Sequence, residues 1–167
     1  MRTLTTDRLI LRPFRPDDEA IHDLVFADPD IAREWAGGTR TLRETRQWLI
    51  HRAWQARHSE DLGLLVAERR EDGALLGLVA LQLCVARWLI WRDAPPFAPL
   101  EVEFSYAFGH AYHEYEEEAS AAAIAYAFGE MRLARLISGV SETARRLGFA
   151  PHVDLLAPED AWVLSNR

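Results

Sequence analysis

Apolar and polar residues alternate along several short stretches of the chain, and each such stretch predicts a β-strand. The first is residues 7–14, DRLILRPF. The alternation is strictest over residues 100–108, LEVEFSYAF. Because alternate residues of a strand share one face, we expect Glu101, Glu103 and Ser105 to lie on one side of this strand.

Residues 62–85 contain two apolar runs that flank the sequence RREDG, which predicts a β-hairpin. Asp72 followed by Gly73 is a strong signal for a tight turn. The second run contains Cys84, whose apolar neighbours indicate a buried small hydrophobe rather than a catalytic thiol. Since Cys84 is the only cysteine, no disulfide can form within one chain, and we expect a cytoplasmic protein.

Apolar residues at helical spacing predict the helices. The clearest is residues 41–60, where Thr41 and Glu44 have the spacing of a capping box. A helix is also predicted over residues 16–28, with Asp17 as its N-cap. Further elements follow from the same rules: a short helix at 29–38 closed by two glycines, a helix at 117–131, a strand at 134–140, a short helix at 141–149 and a closing strand pair within 152–166.

This order of elements predicts a mixed α/β fold around one central sheet, with residues 1–167 forming a single domain. The net charge is −7 and the pI about 5.4, and all 19 basic residues are arginine. We therefore expect no nucleic-acid partner and no membrane partner, because no basic stripe is visible. No apolar run approaches the roughly 20 residues of a membrane span.

Several quoted stretches together resemble a known family. TDRLILRPFRPDD, FADPDIAREW, TLRETRQWL, GALLGLVAL, EVEFSYAF, AYAFGEMRLARL and RRLGF follow one another in this order. The set resembles the GNAT superfamily of N-acetyltransferases, in the branch that acetylates ribosomal-protein N-termini. The resemblance implies a sheet of six or seven strands flanked by helices, with acetyl-CoA in a V between strands 100–108 and 134–140. It also implies a glycine-rich loop whose backbone N–H groups hold the CoA pyrophosphate at a helix start.

The chain departs from this pattern at residues 110–119, HAYHEYEEEA, which contain no glycine. Where the family reads YWGRGYATEA, this chain is about two residues shorter and places Glu114, Glu116 and Glu117 in the phosphate region. Carboxylates there would repel a pyrophosphate by more than a helix dipole attracts it. A second segment also departs from the family pattern, which supports the same conclusion. Only SETARR separates ISGV from LGF, and the family's usual Asn and Tyr are absent there. We therefore predict that acetyl-CoA is not used in the conventional way, and we expect no cofactor.

The mixture of acids and histidines in this stretch predicts proton-transfer chemistry on a small, amine-bearing or cationic molecule. On an α-helix, His110, His113, Glu114 and Glu117 would share one face. The predicted catalytic residues are Glu103, Tyr112, His113, Glu114, Tyr115 and Glu117. The predicted substrate-binding residues are Glu101, Ser105, His110, Glu116 and Ser138.

Three alternatives stay open at this point. The chain is a conventional acetyl-CoA-dependent acetyltransferase with a divergent CoA site, or a non-catalytic binding protein whose glutamates form a solvated helix start. A metal site built from His110, His113 and either Glu114 or Glu117 is weaker, because no independent cluster of ligands supports it. Homodimer formation through Trp88, Trp91 and the proline-rich residues 94–99 is a further possibility.

Overall fold

The strands form one mixed sheet in the computed structural model, which describes residues 2–58, 62–85, 100–151 and 161–166. Within these described residues, eight strands pair in the order β1-β2-β3-β4-β5-β6-β8-β7. Of these pairs, β5 with β6 is parallel and the others are antiparallel. The strands are β1 Leu4–Thr5, β2 Leu9–Pro13, β3 Gly63–Arg69, β4 Leu75–Val85, β5 Leu100–Phe108, β6 Arg135–Gly139, β7 Ala150–Pro151 and β8 Ala161–Ser165. The described part of the chain has eight strands rather than six or seven because it includes two very short strands, β1 and β7, of two residues each.

In the described ranges, four α-helices flank this sheet: α1 Pro29–Ala36, α2 Leu42–His58, α3 Glu116–Gly129 and α4 Glu142–Arg146. A π-helical turn, His22–Phe26, precedes α1, and a 3-10 turn, His110–Tyr115, leads directly into α3. The mixed α/β fold around one sheet is therefore confirmed.

Each face of the sheet carries its own hydrophobic core. On one face, α3 packs through Ala123 and Ala127 against strand residues that include Phe104 and Phe108. On the other face, the π-helical turn and Leu49 of α2 pack against alternate residues of the same strands. The alternation of β5 directs Val102, Phe104, Tyr106 and Phe108 into the core on the α3 side, and Ala107 belongs to the core on the other side.

The local signals in α1, α2 and the β3–β4 hairpin are confirmed. Thr41 donates its backbone N–H to Glu44 at 2.7 Å, and its hydroxyl accepts the N–H of Glu44 at 3.3 Å. Gly37 ends α1 with a φ of 74°, and Gly73 turns the hairpin with the same φ. Both glycines adopt the left-handed conformation that other residues rarely reach.

The helix predicted over residues 16–28 is wrong in extent and in its cap. The structure has a five-residue π-helix preceded by Ile21, and Asp17 does not cap it. The neighbouring Asp18 is buried and accepts two hydrogen bonds from Arg12, at 2.7 and 2.9 Å. It also accepts the backbone N–H of Arg15 at 2.6 Å. These bonds hold the chain in a turn where a helix would otherwise begin.

The parallel pair of β5 and β6 is joined at a single register position, Glu103 opposite Ile137. The antiparallel pair of β4 and β5, by contrast, runs over nine positions, from Gly77 with Phe108 to Val85 with Leu100. Beyond Glu103, therefore, β5 stays with β4 while β6 departs, which leaves a V-shaped opening toward the C-terminal end of β5.

Candidate functional site: a cleft between two diverging strands

The opening between β5 and β6 contains a cavity of about 210 Å³. Helix α1, strand β5, the turn before α3, and the end of β6 all contribute to its wall. The described residues that line it are Ile31, Glu34, Trp35, Ser105, Tyr106, Ala107, Phe108, His113, Glu116, Ser138, Gly139, Val140 and Ser141. Four predicted site residues, Ser105, His113, Glu116 and Ser138, therefore meet in one cleft.

The carboxylate of Glu116 connects two segments on this cleft. Glu116 is the first residue of α3, and its side chain is only 13% exposed. One carboxylate oxygen lies 2.5 Å from Nδ1 of His113, and the other accepts the hydroxyl of Thr143 in α4 at 3.1 Å. A fixed negative charge thus stands at the N-terminus of α3, where the helix dipole favours an anion.

Two backbone N–H groups at and before Glu116 are bonded within the chain. The N–H of Glu116 donates to the carbonyl of His113, and the N–H of Tyr112 donates to the carbonyl of Gly109 at 2.8 Å. A helix that starts freely leaves its first N–H groups available to a ligand. Here the N–H groups of Tyr112 and Glu116 are already bonded to backbone carbonyls of the chain.

A second hydrogen bond joins the two sides of the V. The hydroxyl of Tyr106 on β5 donates to Oγ of Ser141 at 2.9 Å. Ser141 is also the N-cap of α4 and accepts the N–H of Ala144 at 2.9 Å. The short segment after β6 is therefore fastened to β5 as well as to α3.

The expectation that His110, His113, Glu114 and Glu117 share one helical face is wrong. That face requires a continuous α-helix, whereas residues 110–115 form a 3-10 turn in which Tyr112 is non-helical, with φ −123° and ψ 16°. The two histidine rings remain neighbours, 5.6 Å apart. Glu114 instead points to Arg8, and Glu117 is exposed.

Glu114 and Glu118 belong to a contact between α3 and the first strands. Glu118 accepts the hydroxyl of Thr6 at 2.5 Å, the backbone N–H of Arg8 at 2.9 Å and Nε of Arg8 at 2.6 Å. Burial raises the pKa of Glu118, but these hydrogen bonds outweigh it and hold the pKa below its ordinary value. Arg8 also stacks on Tyr115, 4.4 Å from the ring centre.

Five of the six predicted catalytic residues do not line the cleft. Of the described residues, those that form its wall include His113 but not Glu103, Glu114, Glu117, Tyr112 or Tyr115. The two tyrosines pack against the core on the α3 side of the sheet.

Glu103 lies at a second cavity of about 250 Å³ on the α1–α2 side of the sheet. Glu34, Trp35 and Ser105 line both cavities, so the two are adjacent. The described residues at the second cavity are Glu34, Trp35, Ala36, Arg40, Trp48, Arg52, Gln82, Glu103 and Ser105.

Glu101, two residues before Glu103 on β5, is paired with Arg135 at the closed end of the V. The two side chains make a double hydrogen bond, of which Nε to Oε2 measures 3.0 Å. This bonding to Glu101 raises the pKa of Arg135. Glu101 is buried, and Glu103 lines the second cavity.

His110 contacts a different element from His113. Its Nε2 lies 3.1 Å from a carboxylate oxygen of Asp28, and potential ligand atoms of His110, Asp28 and Asp30 lie within 4.8 Å of one another. Asp28 already has a structural role, because it caps α1 by accepting the N–H groups of Asp30 and Ile31 at 3.0 Å each. Trp88, Trp91 and residues 94–99, the predicted homodimer contact, lie outside the described residues.

Sequence reasoning missed the residues that complete both cavities. Tyr106 and Thr143 reach across the V, yet neither carries a local signal for doing so. Arg40, which precedes α2, and Arg52 of α2 line the second cavity, and neither was among the predicted site residues.

Comparison with known proteins agrees with this geometry. Residues 8–146 match the family model described as acetyltransferase (GNAT) domain. The uncharacterized protein YkkB of Bacillus subtilis (strain 168) is 27% identical over 136 residues, which cover 80% of this chain and 72% of that protein. The chain belongs to the GNAT acetyltransferase family.

Solved structures show the same fold. An acetyltransferase from Agrobacterium tumefaciens str. C58 is 26% identical, with a TM-score of 0.67 and coverage of 99% of this chain and 95% of that one. An acetyltransferase (GNAT family) from Bacillus anthracis has a TM-score of 0.72 at 16% identity, with 98% of each chain covered. Among the described residues, no helix is long and apolar enough to cross a membrane.

Proposed function

We propose that this chain is a GNAT-fold enzyme that does not bind acetyl-CoA in the family's usual manner. In its place, it carries out acid–base chemistry on a small molecule held in the two adjoining cavities. The observation that carries the proposal is the carboxylate of Glu116, which stands in the cleft at the N-terminus of α3.

Electrostatics supports the proposal. A phosphate charge about 4 Å from a carboxylate is repelled by roughly 4 kcal/mol at an effective dielectric constant of 20. A helix dipole stabilises an anion at the helix N-terminus by only about 0.3–1 kcal/mol. Glu116 is mostly buried and is held by two hydrogen bonds, so it cannot turn away from an incoming pyrophosphate without losing them.

Hydrogen bonding supports it as well. Backbone donors on the approach to α3 are used within the 3-10 turn, as the bond from Glu116 to the carbonyl of His113 illustrates. The hydrogen bond of Tyr106 to Ser141 crosses the V that a pantetheine chain would have to enter. The residues of this cleft therefore do not fit a CoA pyrophosphate.

The groups available for chemistry are Glu103 and the pair formed by His113 and Glu116. With Glu116 ionised, Nδ1–H of His113 donates to it, and this fixes Nε2 of His113 as an acceptor that can take a proton from a ligand. Glu103 offers a carboxylate base in the neighbouring cavity. Reactions of this class include cyclisation, elimination, hydrolysis and transfer from a donor other than acetyl-CoA.

A second candidate function is conventional acetyl transfer, which the retained V favours. β5 and β6 pair at one position only, and the wall of the cleft includes four consecutive residues of β5, from Ser105 to Phe108. An acetyl thioester could lie along this strand if its pyrophosphate were held by other residues.

Thermal unfolding with and without CoA or acetyl-CoA separates the two candidates, because a ligand that binds the folded state raises the melting temperature. We expect no shift with the wild-type chain. We expect Glu116→Gln to bind CoA at least about tenfold more tightly than the control Glu117→Gln, since only Glu116 lines the cleft. A clear wild-type shift, together with acetylation of an amine, would establish the second candidate instead.

A further inference from the structure

A buried serine stands in the first cleft, and the chemistry described so far gives it no role. Ser138 is the fourth residue of β6, is only 4% exposed and lines the cleft. Its hydroxyl makes no hydrogen bond to another described residue. Because a buried hydroxyl without a partner costs free energy, its retention here indicates a partner that comes from outside the chain.

Ser138 lies on the same side of the sheet as His113 and Glu116. Successive side chains of a strand point to opposite faces, so Ser138 shares the face of Leu136, which packs in the core on the α3 side. His113 and Glu116 stand at the start of α3, on that side. Ser105, by contrast, also lines the second cavity, on the α1–α2 side. The cleft thus brings a hydroxyl, an imidazole and a carboxylate together on one side of the sheet.

The other serine on this side is already engaged. Oγ of Ser141 accepts the hydroxyl of Tyr106 and the backbone N–H of Ala144, each at 2.9 Å. Since a hydroxyl oxygen has two lone pairs, both lone pairs of Ser141 are used. Ser138 therefore offers the more nucleophilic oxygen of the two.

The imidazole of His113 is oriented as a general base. Its Nδ1 lies 2.5 Å from one carboxylate oxygen of Glu116, whose other oxygen is held by the hydroxyl of Thr143 at 3.1 Å. With Nδ1–H donating to Glu116, Nε2 is the atom that accepts the proton of a hydroxyl. A hydroxyl, an imidazole and a carboxylate are the groups that activate serine nucleophiles on several unrelated folds.

Backbone N–H groups of β5 face the same opening. Gly109 donates its N–H to the carbonyl of Leu76 at 3.1 Å, at the end of the pair of β4 and β5. Because successive residues of a strand direct their N–H groups to opposite edges, those of Tyr106 and Phe108 point away from β4 and into the V. Both residues line the cleft, and β6 pairs with β5 only at Glu103. Such donors stabilise the negative oxygen that develops during acyl transfer.

We propose that Ser138 is the nucleophile of an ester hydrolase, with His113 as its general base, Glu116 as a positioning residue and a short-chain carboxylic ester as its substrate. Oγ of Ser138 attacks the carbonyl carbon while Nε2 of His113 takes the hydroxyl proton. The C–O bond to the alcohol then breaks, and His113 gives that proton to the departing alcohol. Water attacks the acyl-serine, His113 moves a proton from the water to Oγ, and the carboxylic acid leaves.

The size of the cleft limits the acyl group. Its volume of about 210 Å³ lies below the roughly 300–1,000 Å³ of pockets for drug-sized molecules. Ile31 and Val140 give it apolar walls on either side of the V. A short acyl chain, such as acetyl or propionyl, suits this space.

The inference rests on the proposed function because it uses the same acid–base pair, His113 and Glu116. It selects hydrolysis from the reactions of that class and adds the covalent intermediate. It does not depend on whether CoA binds, so the two proposals are tested by different measurements.

Covalent labelling of the full chain with a fluorophosphonate tests the nucleophile, because this reagent phosphonylates activated serines and releases fluoride. Trypsin cuts after Arg135 and Arg145, so one peptide, residues 136–145, contains both Ser138 and Ser141. We expect fragmentation of this peptide to place the phosphonyl group on Ser138. Labelling should be at least about tenfold slower in His113→Gln. Absence of the label, a label on Ser141, or an equal rate in His113→Gln would overturn the inference.

Hydrolysis of p-nitrophenyl acetate tests the activity. Ser138→Ala should lower kcat/KM at least about 100-fold, as loss of a serine nucleophile does. The matched control is Ser120→Ala, which removes a buried hydroxyl of α3 that also lacks a partner among the described residues and does not line the cleft. Its activity should equal that of the wild type. Equal activity of Ser138→Ala and Ser120→Ala would contradict the inference.

Glu116→Gln tests the positioning role. We expect kcat to fall at least about tenfold while KM stays within about twofold, because the orientation of His113 acts on the chemical step. A rise of KM alone would contradict that role. Absence of the label together with absence of CoA binding would refute the serine nucleophile alone. Labelling of Ser138 in a chain that binds acetyl-CoA would refute the proposed loss of CoA binding alone.

Discussion

Oε2 of Glu116 accepts a hydrogen bond from the hydroxyl of Thr143 across 3.1 Å, which joins the first residue of α3 to the first turn of α4. The two helices follow β5 and β6 respectively, the strands that bound the V. The contact therefore makes a carboxylate of the chain itself the anion at the N-terminus of α3.

Replacement of Glu116 by Ala removes the hydrogen bonds to His113 and Thr143. We expect a loss of about 1–2 kcal/mol in the free energy of unfolding, measured by urea denaturation. The adjacent Glu117→Ala is the matched control, because Glu117 is exposed in the same helical turn, and its change should stay within about 0.5 kcal/mol. Equal effects of the two variants would show that Glu116 has no special role.

Glu118→Gln should destabilise the chain by about 1–2 kcal/mol at neutral pH, because charge-assisted bonds to Thr6 and Arg8 weaken. The pKa of Glu118 is lowered by folding, so its stabilising contribution is complete above the ordinary value of 4.5. That contribution is lost as the pH falls through the lowered value, and the difference from wild type should shrink there. Urea denaturation from pH 7 to about pH 3 measures this difference.

Glu114→Gln serves as the control for Glu118→Gln. Glu114 also faces Arg8, but at 3.4 Å and with a side chain 67% exposed. Such a surface pair contributes about 0–1 kcal/mol. A pH-dependent loss in Glu114→Gln as large as that in Glu118→Gln would contradict the assignment of the stabilising contact to Glu118.

Gly77 lies where β4 approaches the last residues of β5. A Cβ at this position would stand 2.4 Å from the carbonyl oxygen of Ala107 and 2.7 Å from Cα of Phe108, both backbone atoms. Gly77→Ala should therefore cost about 1–3 kcal/mol in the free energy of unfolding. Gly129→Ala, where a Cβ meets nothing within 4 Å, should cost none. A stable Gly77→Ala chain would show that the two strands lie farther apart.

The pair of Glu101 and Arg135 closes the lower end of the V. Loss of one partner from a fully buried ion pair costs about 3–5 kcal/mol, and here the Arg135 side chain is 34% exposed, which lowers the expected cost to about 2–3 kcal/mol. A double-mutant cycle with Glu101→Gln and Arg135→Gln should give a coupling of at least about 1 kcal/mol. Additive losses would mean that the two side chains do not interact.

Much of the fold follows from local rules in the sequence. The alternation of residues 100–108 predicted β5 and placed Glu103 and Ser105 on one face, and both reach the second cavity. The spacing of Thr41 and Glu44 predicted the start of α2. These signals work because each depends on neighbours within a few positions along the chain.

The site was less predictable because its contacts are distant along the chain. Because residues 110–115 form a 3-10 turn, the side chain of His113 lines the cleft while that of Glu114 faces Arg8. The spacing of the residues along the sequence does not reveal such a turn. In α2, Trp48 packs in the core, whereas Trp54 is 57% exposed. Asp18 does not lie in the helix predicted over residues 16–28, because its buried carboxylate accepts a hydrogen bond from the guanidinium of Arg12 in β2.

The central claim is that the carboxylate of Glu116 excludes the CoA pyrophosphate, and calorimetric titration of the wild-type chain with acetyl-CoA tests it most directly. The account predicts no binding heat at ligand concentrations up to about 1 mM, which corresponds to a binding free energy weaker than about −4 kcal/mol. Micromolar binding of acetyl-CoA, unchanged in Glu116→Gln, would contradict it.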